Sequence, residues 1–184
     1  MLKCIGVLAA YVLASSSVAS AESGDAAALL RGLAGTWRGE LVYRDYQTNE
    51  RTALPVTRTV TLLPDGATLS SISAFDDGAS GTVYISSLEG LDAKTGTWQS
   101  TSIRANRAVQ TSAQTMVLAR PATDATEWTI TLSEDGEDND APAIIRETVT
   151  LKGDRLTVLK EVDPKGDGQD VYLFRNETIL TRQP

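Results

Sequence analysis

Short stretches in which apolar and polar residues alternate cover most of the chain after residue 36. Alternation with a period of two is typical of half-buried β-strands, and turn-forming Gly, Pro, Asn and Asp residues separate the stretches. The pattern predicts ten strands, at 37–46, 53–63, 67–75, 81–89, 97–104, 110–119, 126–133, 143–152, 155–163 and 171–182. An apolar segment at 26–33 predicts a helix that Asp25 caps and Gly35 ends. We therefore predict a mostly β protein: an antiparallel up-and-down barrel of about eight to ten strands with a short N-terminal helix.

The first of two hairpins whose register the sequence predicts turns at Gly153-Asp154. Directly opposed residues of an antiparallel pair share a face of the sheet. Pairing outward from this turn places on one face the pairs Leu151–Leu156, Val149–Val158, Glu147–Lys160 and Ile145–Val162. Glu147 and Lys160 are thus expected to lie opposite each other within an otherwise apolar stripe.

The second hairpin turns at Asp65-Gly66. Its predicted pairs on the apolar face are Leu62–Leu69, Val60–Ser71, Arg58–Ser73 and Val56–Phe75. Arg58 is therefore expected to point inward beside Ser73.

Charged residues on inward faces favour a barrel with a wet or ligand-filled lumen. In a tightly packed core a buried charge costs several kcal/mol unless it is paired. Arg58, Glu147 and Lys160 are therefore candidate lumen residues, although mutual pairing or a position near the barrel mouth would also explain them. Tyr43 shares a strand face with Trp37 and could offer its hydroxyl group to a ligand.

A further mixed surface follows Trp98. Ser100, Ser102 and Arg104 have the same parity in the predicted strand 97–104. This face either lines a polar cavity or faces water, and the sequence leaves both readings open.

The N-terminus has the layout of a secretory signal peptide. Lys3 precedes the short apolar run 5–13, and Ala19-Ser20-Ala21 provides small residues for cleavage. We expect a signal peptide at 1–21, a single barrel domain at 22–184 and export, most simply to a bacterial periplasm. The apolar run is shorter than the ~20 residues of a membrane-spanning helix, so no transmembrane span is expected.

The amino-acid composition argues against several kinds of partner and site. There are 17 basic and 24 acidic residues, giving a formal net charge of −7, which argues against a nucleic-acid partner. The chain has no His, and its one Cys, Cys4, lies in the predicted leader. We therefore expect no disulfide, no Cys/His metal site, no cofactor and no catalytic residue, since Gly-x-Ser-x-Gly and Ser-x-x-Lys motifs are also absent. A binding protein is favoured over an enzyme.

The acidic segment 134–140 has two interpretations. Clustered oxygen ligands could hold Ca²⁺. A solvated loop between two strands is the interpretation we favour, because charge runs usually face water.

Both ends of the barrel segment carry a family resemblance. Gly35-Thr36-Trp37 opens the first strand after a short helix, and 172–182 forms the last strand. These segments resemble the lipocalin-like (calycin) barrels, in particular bacterial secreted domains of unassigned function. The resemblance implies that a late basic residue packs over Trp37, and both Arg175 and Arg182 are candidates.

The sequence departs from several branches of that family. It has no room for a two-helix lid after the first strand, because only residues 47–50 intervene. It also lacks the His of the haem-binding relatives and the disulfides of many lipocalins. The resemblance therefore implies the barrel but no specific ligand.

We expect an exported barrel that binds a small, partly apolar ligand in its lumen. The apolar part would lie against Val56, Val60, Val149 and Val158, and Arg58 or Lys160 would contact an anionic head group. The alternative is a filled structural barrel that acts through its acidic surface loops on a protein partner. The volume of the lumen distinguishes the two.

Overall fold

The computed structural model describes residues 23–45 and 48–184, without the side chains at 23–25 and 121–123. Its elements are α1 (Ser23–Leu33), β1 (Gly35–Arg44), β2 (Arg51–Leu62), β3 (Thr68–Asp76), β4 (Thr82–Asp92), β5 (Thr97–Arg104), β6 (Gln110–Asp124), β7 (Glu127–Asp138), β8 (Ala141–Lys152), β9 (Arg155–Pro164) and β10 (Leu173–Arg182), with a one-turn 3₁₀ helix at Gly78–Ser80. The predicted signal peptide at 1–21, the capping side chain of Asp25 and the predicted strand end at Tyr46 lie outside the described residues.

The ten strands form a closed barrel. Each strand pairs antiparallel with the next along the chain, and β1 closes the barrel against β10. Closure gives the backbone groups of the first and last strands a partner, which removes the open edges of a sheet. The predicted mostly β, up-and-down barrel with a short N-terminal helix is confirmed.

Both predicted hairpin registers are confirmed. Glu147 lies opposite Lys160 in the β8–β9 ladder, and Arg58 lies opposite Ser73 in the β2–β3 ladder. The β8–β9 turn has Gly153 at φ +58°, a left-handed conformation that glycine adopts without steric cost. Local turn chemistry therefore sets which side chains enter the lumen.

The prediction of a loop at 134–140 is wrong. β7 continues to Asp138 and β8 begins at Ala141, so only Asn139 and Asp140 form the turn, both at positive φ. Two of the acidic side chains are neutralised within the chain: Asp135 by Lys165 at 2.8 Å and Asp138 by Arg175 at 2.5 Å. The acidic run can therefore remain a strand.

Helix α1 covers one end of the barrel. Its apolar face buries Leu29, Leu30 and Leu33 in the same core as the barrel tryptophans. Each fully buried leucine contributes about 1.5–3 kcal/mol of transfer free energy. Gly32 permits this close approach, because a Cβ at that position would lie 2.8 Å from Nε1 of Trp128.

Arg182 joins the first and last strands at this closed end. Its guanidinium lies 4.1 Å from the ring centroid of Trp37, and it donates hydrogen bonds to the carbonyl oxygens of Gly32, at 2.7 Å, and Ala34. Gly35 is required beside it, since a Cβ there would lie 2.6 Å from the guanidinium. The basic residue over Trp37 is thus Arg182, whereas Arg175 lies on β10 in its ion pair with Asp138.

Replacing Arg182 tests this closure. We expect Arg182→Ala to lower the free energy of unfolding by about 2–3 kcal/mol, because two charged hydrogen bonds and a cation–π contact are lost. Chemical denaturation measures the change. Arg38→Ala is the matched control, because Arg38 is exposed on β1, and it should change stability by less than about 0.5 kcal/mol. Equal effects of the two substitutions would contradict the assigned role of Arg182.

Candidate functional site

The lumen contains a cavity of about 250 Å³ directly above the closed end. Leu33 of α1 borders it from below, and seven strands supply the remaining wall. The side chains that line it are Leu33, Arg58, Ile85, Ser87, Glu89, Trp98, Ser100, Ser102, Gln114, Ile130, Leu132, Glu147, Val149, Leu156 and Val158.

The cavity lining has a polar and an apolar side. Strands β4 and β5 contribute Ser87, Ser100 and Ser102 beside Ile85 and Trp98, whereas β7 to β9 contribute Ile130, Leu132, Val149, Leu156 and Val158 around Glu147. The mixed face that follows Trp98 therefore lines the cavity as far as Ser102. Such an arrangement can bury the apolar part of a small molecule and orient its polar part.

The first charged group of the cavity is an ion pair between β2 and β4. Nη2 of Arg58 lies 2.7 Å from Oε1 of Glu89, and the side chains are 23% and 15% exposed. The hydroxyl of Ser71 on β3 donates to the same oxygen at 3.2 Å. The guanidinium is therefore engaged within the protein.

Sequence reasoning missed Glu89. Arg58 and Glu89 are two strands apart, so no hairpin register places them together. The alternation of inward and outward positions could have found it. Glu89 lies directly opposite Leu69, which is fully buried, so both side chains share the inward face.

The second charged group is centred on Glu147. Its Oε1 lies 4.0 Å from Nζ of Lys160, which is long for an ion pair. Burial raises the pKa of Glu147; Lys160 opposes this shift, Glu134 and Glu89 add to it, and Arg58 opposes it. Burial likewise raises the pKa of Glu134, against the attraction of Lys160. One lysine thus lies between two carboxyl groups that are poorly solvated.

Gln114 is the third polar feature, and sequence reasoning did not single it out. It is 6% exposed, lies opposite Trp98 and borders the cavity. Among the hydrogen bonds of the described residues, none involves its side-chain amide. Buried amides are normally hydrogen-bonded, so this group is available to a ligand.

The other predicted site residues lie away from this cavity. Tyr43 borders a second space of about 300 Å³ towards the opposite end of the barrel, together with Arg104. Ile85 borders both spaces, so they adjoin. Ser73 is half-buried on β3. It lies opposite Arg58 of β2 and opposite Ile85 of β4, and it lines neither of the two spaces.

Of the predicted apolar contacts, Val149 and Val158 line the inner cavity. Val56 and Val60 are instead packed into the core, at 4% exposure each. Lys160 also lies outside the lining and reaches the site through Glu147. The predicted residues are therefore only partly brought together.

Two further findings concern metals and membranes. Within residues 23–45 and 48–184, no three metal-ligating side chains of the His, Cys, Asp or Glu type come close enough to hold an ion. No helix in this part of the chain has the length and apolar character needed to cross a bilayer.

No protein-family model and no curated protein matches this sequence. Among solved structures, the chain is similar to the crystal structure of Rv2717c from M. tuberculosis, with a TM-score of 0.58 and 15% sequence identity. The match covers 85% of this chain and 98% of that one. At this identity the likeness shows a shared fold.

The raised pKa of Glu147 predicts a pH-dependent stability. Because the folded state holds this proton more tightly than the unfolded chain, the carboxyl favours folding at low pH. That contribution is lost as pH rises from the ordinary value of 4.5 through the raised one. At each pH we compare the free energy of unfolding of Glu147→Gln with that of the parent protein. We expect this difference to favour the variant more at about pH 8 than at about pH 4.

Denaturant unfolding of both proteins across this range measures the effect. Glu137→Gln is the matched control, since Glu137 is exposed on the same hairpin. Its stability relative to the parent should change little with pH. A relative stability of Glu147→Gln that is constant with pH would contradict the prediction.

Proposed function

We propose that this protein binds a small, partly apolar molecule inside its barrel, in the manner of a lipocalin-like carrier or sensor domain. The observation that carries the proposal is the cavity of about 250 Å³ with one apolar and one polar side. The similar fold of Rv2717c supports a barrel of this general type.

Cavity size limits the size of an occupant. An apolar cavity of about 150 Å³ holds benzene. The space here, about 250 Å³, therefore suits one ring with a short polar substituent.

The apolar wall would provide most of the affinity. Removing apolar surface from water contributes about 25 cal/mol per Å². Leu132, Val149 and Val158 form a continuous patch on neighbouring strands β7, β8 and β9 for this purpose. The polar side chains that border the same space, Glu147 and the serines of β4 and β5, would receive the polar substituent.

The alternative of a filled barrel acting through acidic loops has less support. Asp135 and Asp138, two of the acidic side chains expected to contact a partner, already form ion pairs with Lys165 and Arg175. The acidic segment is also a strand rather than a loop. A basic protein partner would have to compete with Lys165 and Arg175 for these carboxylates.

Export completes the proposal. Cleavage after Ala21 would release the barrel with its helix α1, which begins at Ser23. The ligand would then be met outside the cytoplasm, in the periplasm of a bacterium.

Filling the cavity tests ligand binding. We expect native mass spectrometry of the protein, purified gently from its own host, to show a mass excess that is lost on denaturation. Ser102→Phe should remove that excess, because the new ring occupies the cavity. Ile103→Phe is the matched control, since Ile103 is 58% exposed on the same strand, and should retain it. A parent protein that carries no additional mass, and an identical result for both variants, would each count against the proposal.

A further inference from the structure

We infer that the polar end of the ligand is a protonated amine, received by Glu147 in a cavity that Gln114 also borders. The inference rests on the proposed binding of a small molecule in the lumen and specifies its chemical class. It also reverses the expectation of an anionic head group.

Acidic groups outnumber basic ones around the inner cavity. Glu89 and Glu147 border it together with one cation, Arg58, whereas Lys160 and Glu134 act on Glu147 from outside the lining. With every group ionised, one negative charge has no counterpart. Burial of an uncompensated charge costs several kcal/mol, so a ligand cation would be stabilised at this position.

Both internal cations already face a carboxylate. Arg58 borders the cavity but directs Nη2 at Glu89 over 2.7 Å, and its Nε is fully buried. Lys160 lies opposite Glu147 at 4.0 Å and also attracts Glu134. A carboxylate ligand would have to break these pairs and would also meet the charge of Glu147.

Gln114 supplies an independent observation. It is 6% exposed and borders the same cavity, and among the hydrogen bonds of the described residues none involves its amide. Its carbonyl oxygen can accept a hydrogen bond from an ammonium group, which has three donors. An amide on β6 and a carboxylate on β8 thus border one space.

The whole molecule favours the same sign of charge. Its formal net charge is −7, so the long-range field attracts cations and repels anions. The apolar wall of Leu132, Val149 and Val158 then excludes ions that carry no apolar part. The predicted ligand is a compact aryl or alkyl amine.

Three molecules of similar size test this inference: 2-phenylethylamine, 2-phenylethanol and 3-phenylpropionate, titrated by calorimetry at neutral pH. We expect the amine to bind at least about tenfold more tightly than the alcohol, since hydrogen bonds between charged groups are stronger than those of a neutral hydroxyl. The propionate should bind most weakly. In Glu147→Gln the amine should lose its advantage while the alcohol still binds, which shows that the variant is folded with its lumen intact.

Glu137→Gln is the control and should keep the full preference for the amine. Equal binding of amine and alcohol, or tightest binding of the propionate, would overturn the inference while leaving a ligand-binding lumen in place, provided that Ser102→Phe abolishes the binding. Absence of binding by all three compounds would count against the small-molecule proposal and the amine inference together. Loss of the preference in Glu137→Gln would show that it arises from net charge and would also overturn the assigned role of Glu147.

Discussion

Closure of the ladder between β1 and β10 is the constraint on which the rest of the structure depends. In a closed barrel every second residue of every strand must point inward, whatever its chemistry. Here the inward positions near α1 are leucines and tryptophans, which pack into a solid core. Farther along, charged and small side chains such as Arg58, Glu89 and Ser100 interrupt the inward apolar positions, and they do not fill the interior at the same density. The cavity therefore lies where the apolar layer stops.

The fold was predictable because its information is local. Alternation gave all ten strands, and the turns at Gly153-Asp154 and Asp65-Gly66 set two registers that the structure reproduces. The error at 134–140 also has a local cause. A run of acidic residues resembles a loop when only composition is considered. It remains a strand because partners distant in sequence, Lys165 and Arg175, neutralise part of its charge.

The site was less predictable because its contacts cross the barrel. Arg58 and Glu147 could be placed inward from their hairpins, but the partner of Arg58 lies on β4, beyond the intervening β3. Gln114 carries no charge and belongs to no motif, so only its burial beside a cavity distinguishes it. The choice between Arg175 and Arg182 depended likewise on closure. Antiparallel pairing of β10 with β1 brings the end of β10 beside the start of β1, where Trp37 lies opposite Arg182.

Affinity and selectivity have different sources in such a lumen. The apolar wall would stabilise any ring of suitable size, since the hydrophobic effect is non-directional. Discrimination between ligands must come from the polar and charged side chains of the cavity. A ligand group that does not match them is costly to bury, because few protein groups can rearrange around it. Arg58 is held by Glu89, and Ser71 holds the same carboxylate from a third strand. That rigidity removes the cation which an anionic ligand would need, and it leaves Glu147, with Lys160 at 4.0 Å, as the least compensated charge of the cavity. On the amine proposal, the ion pair that sequence reasoning missed therefore determines which sign of charge the lumen favours.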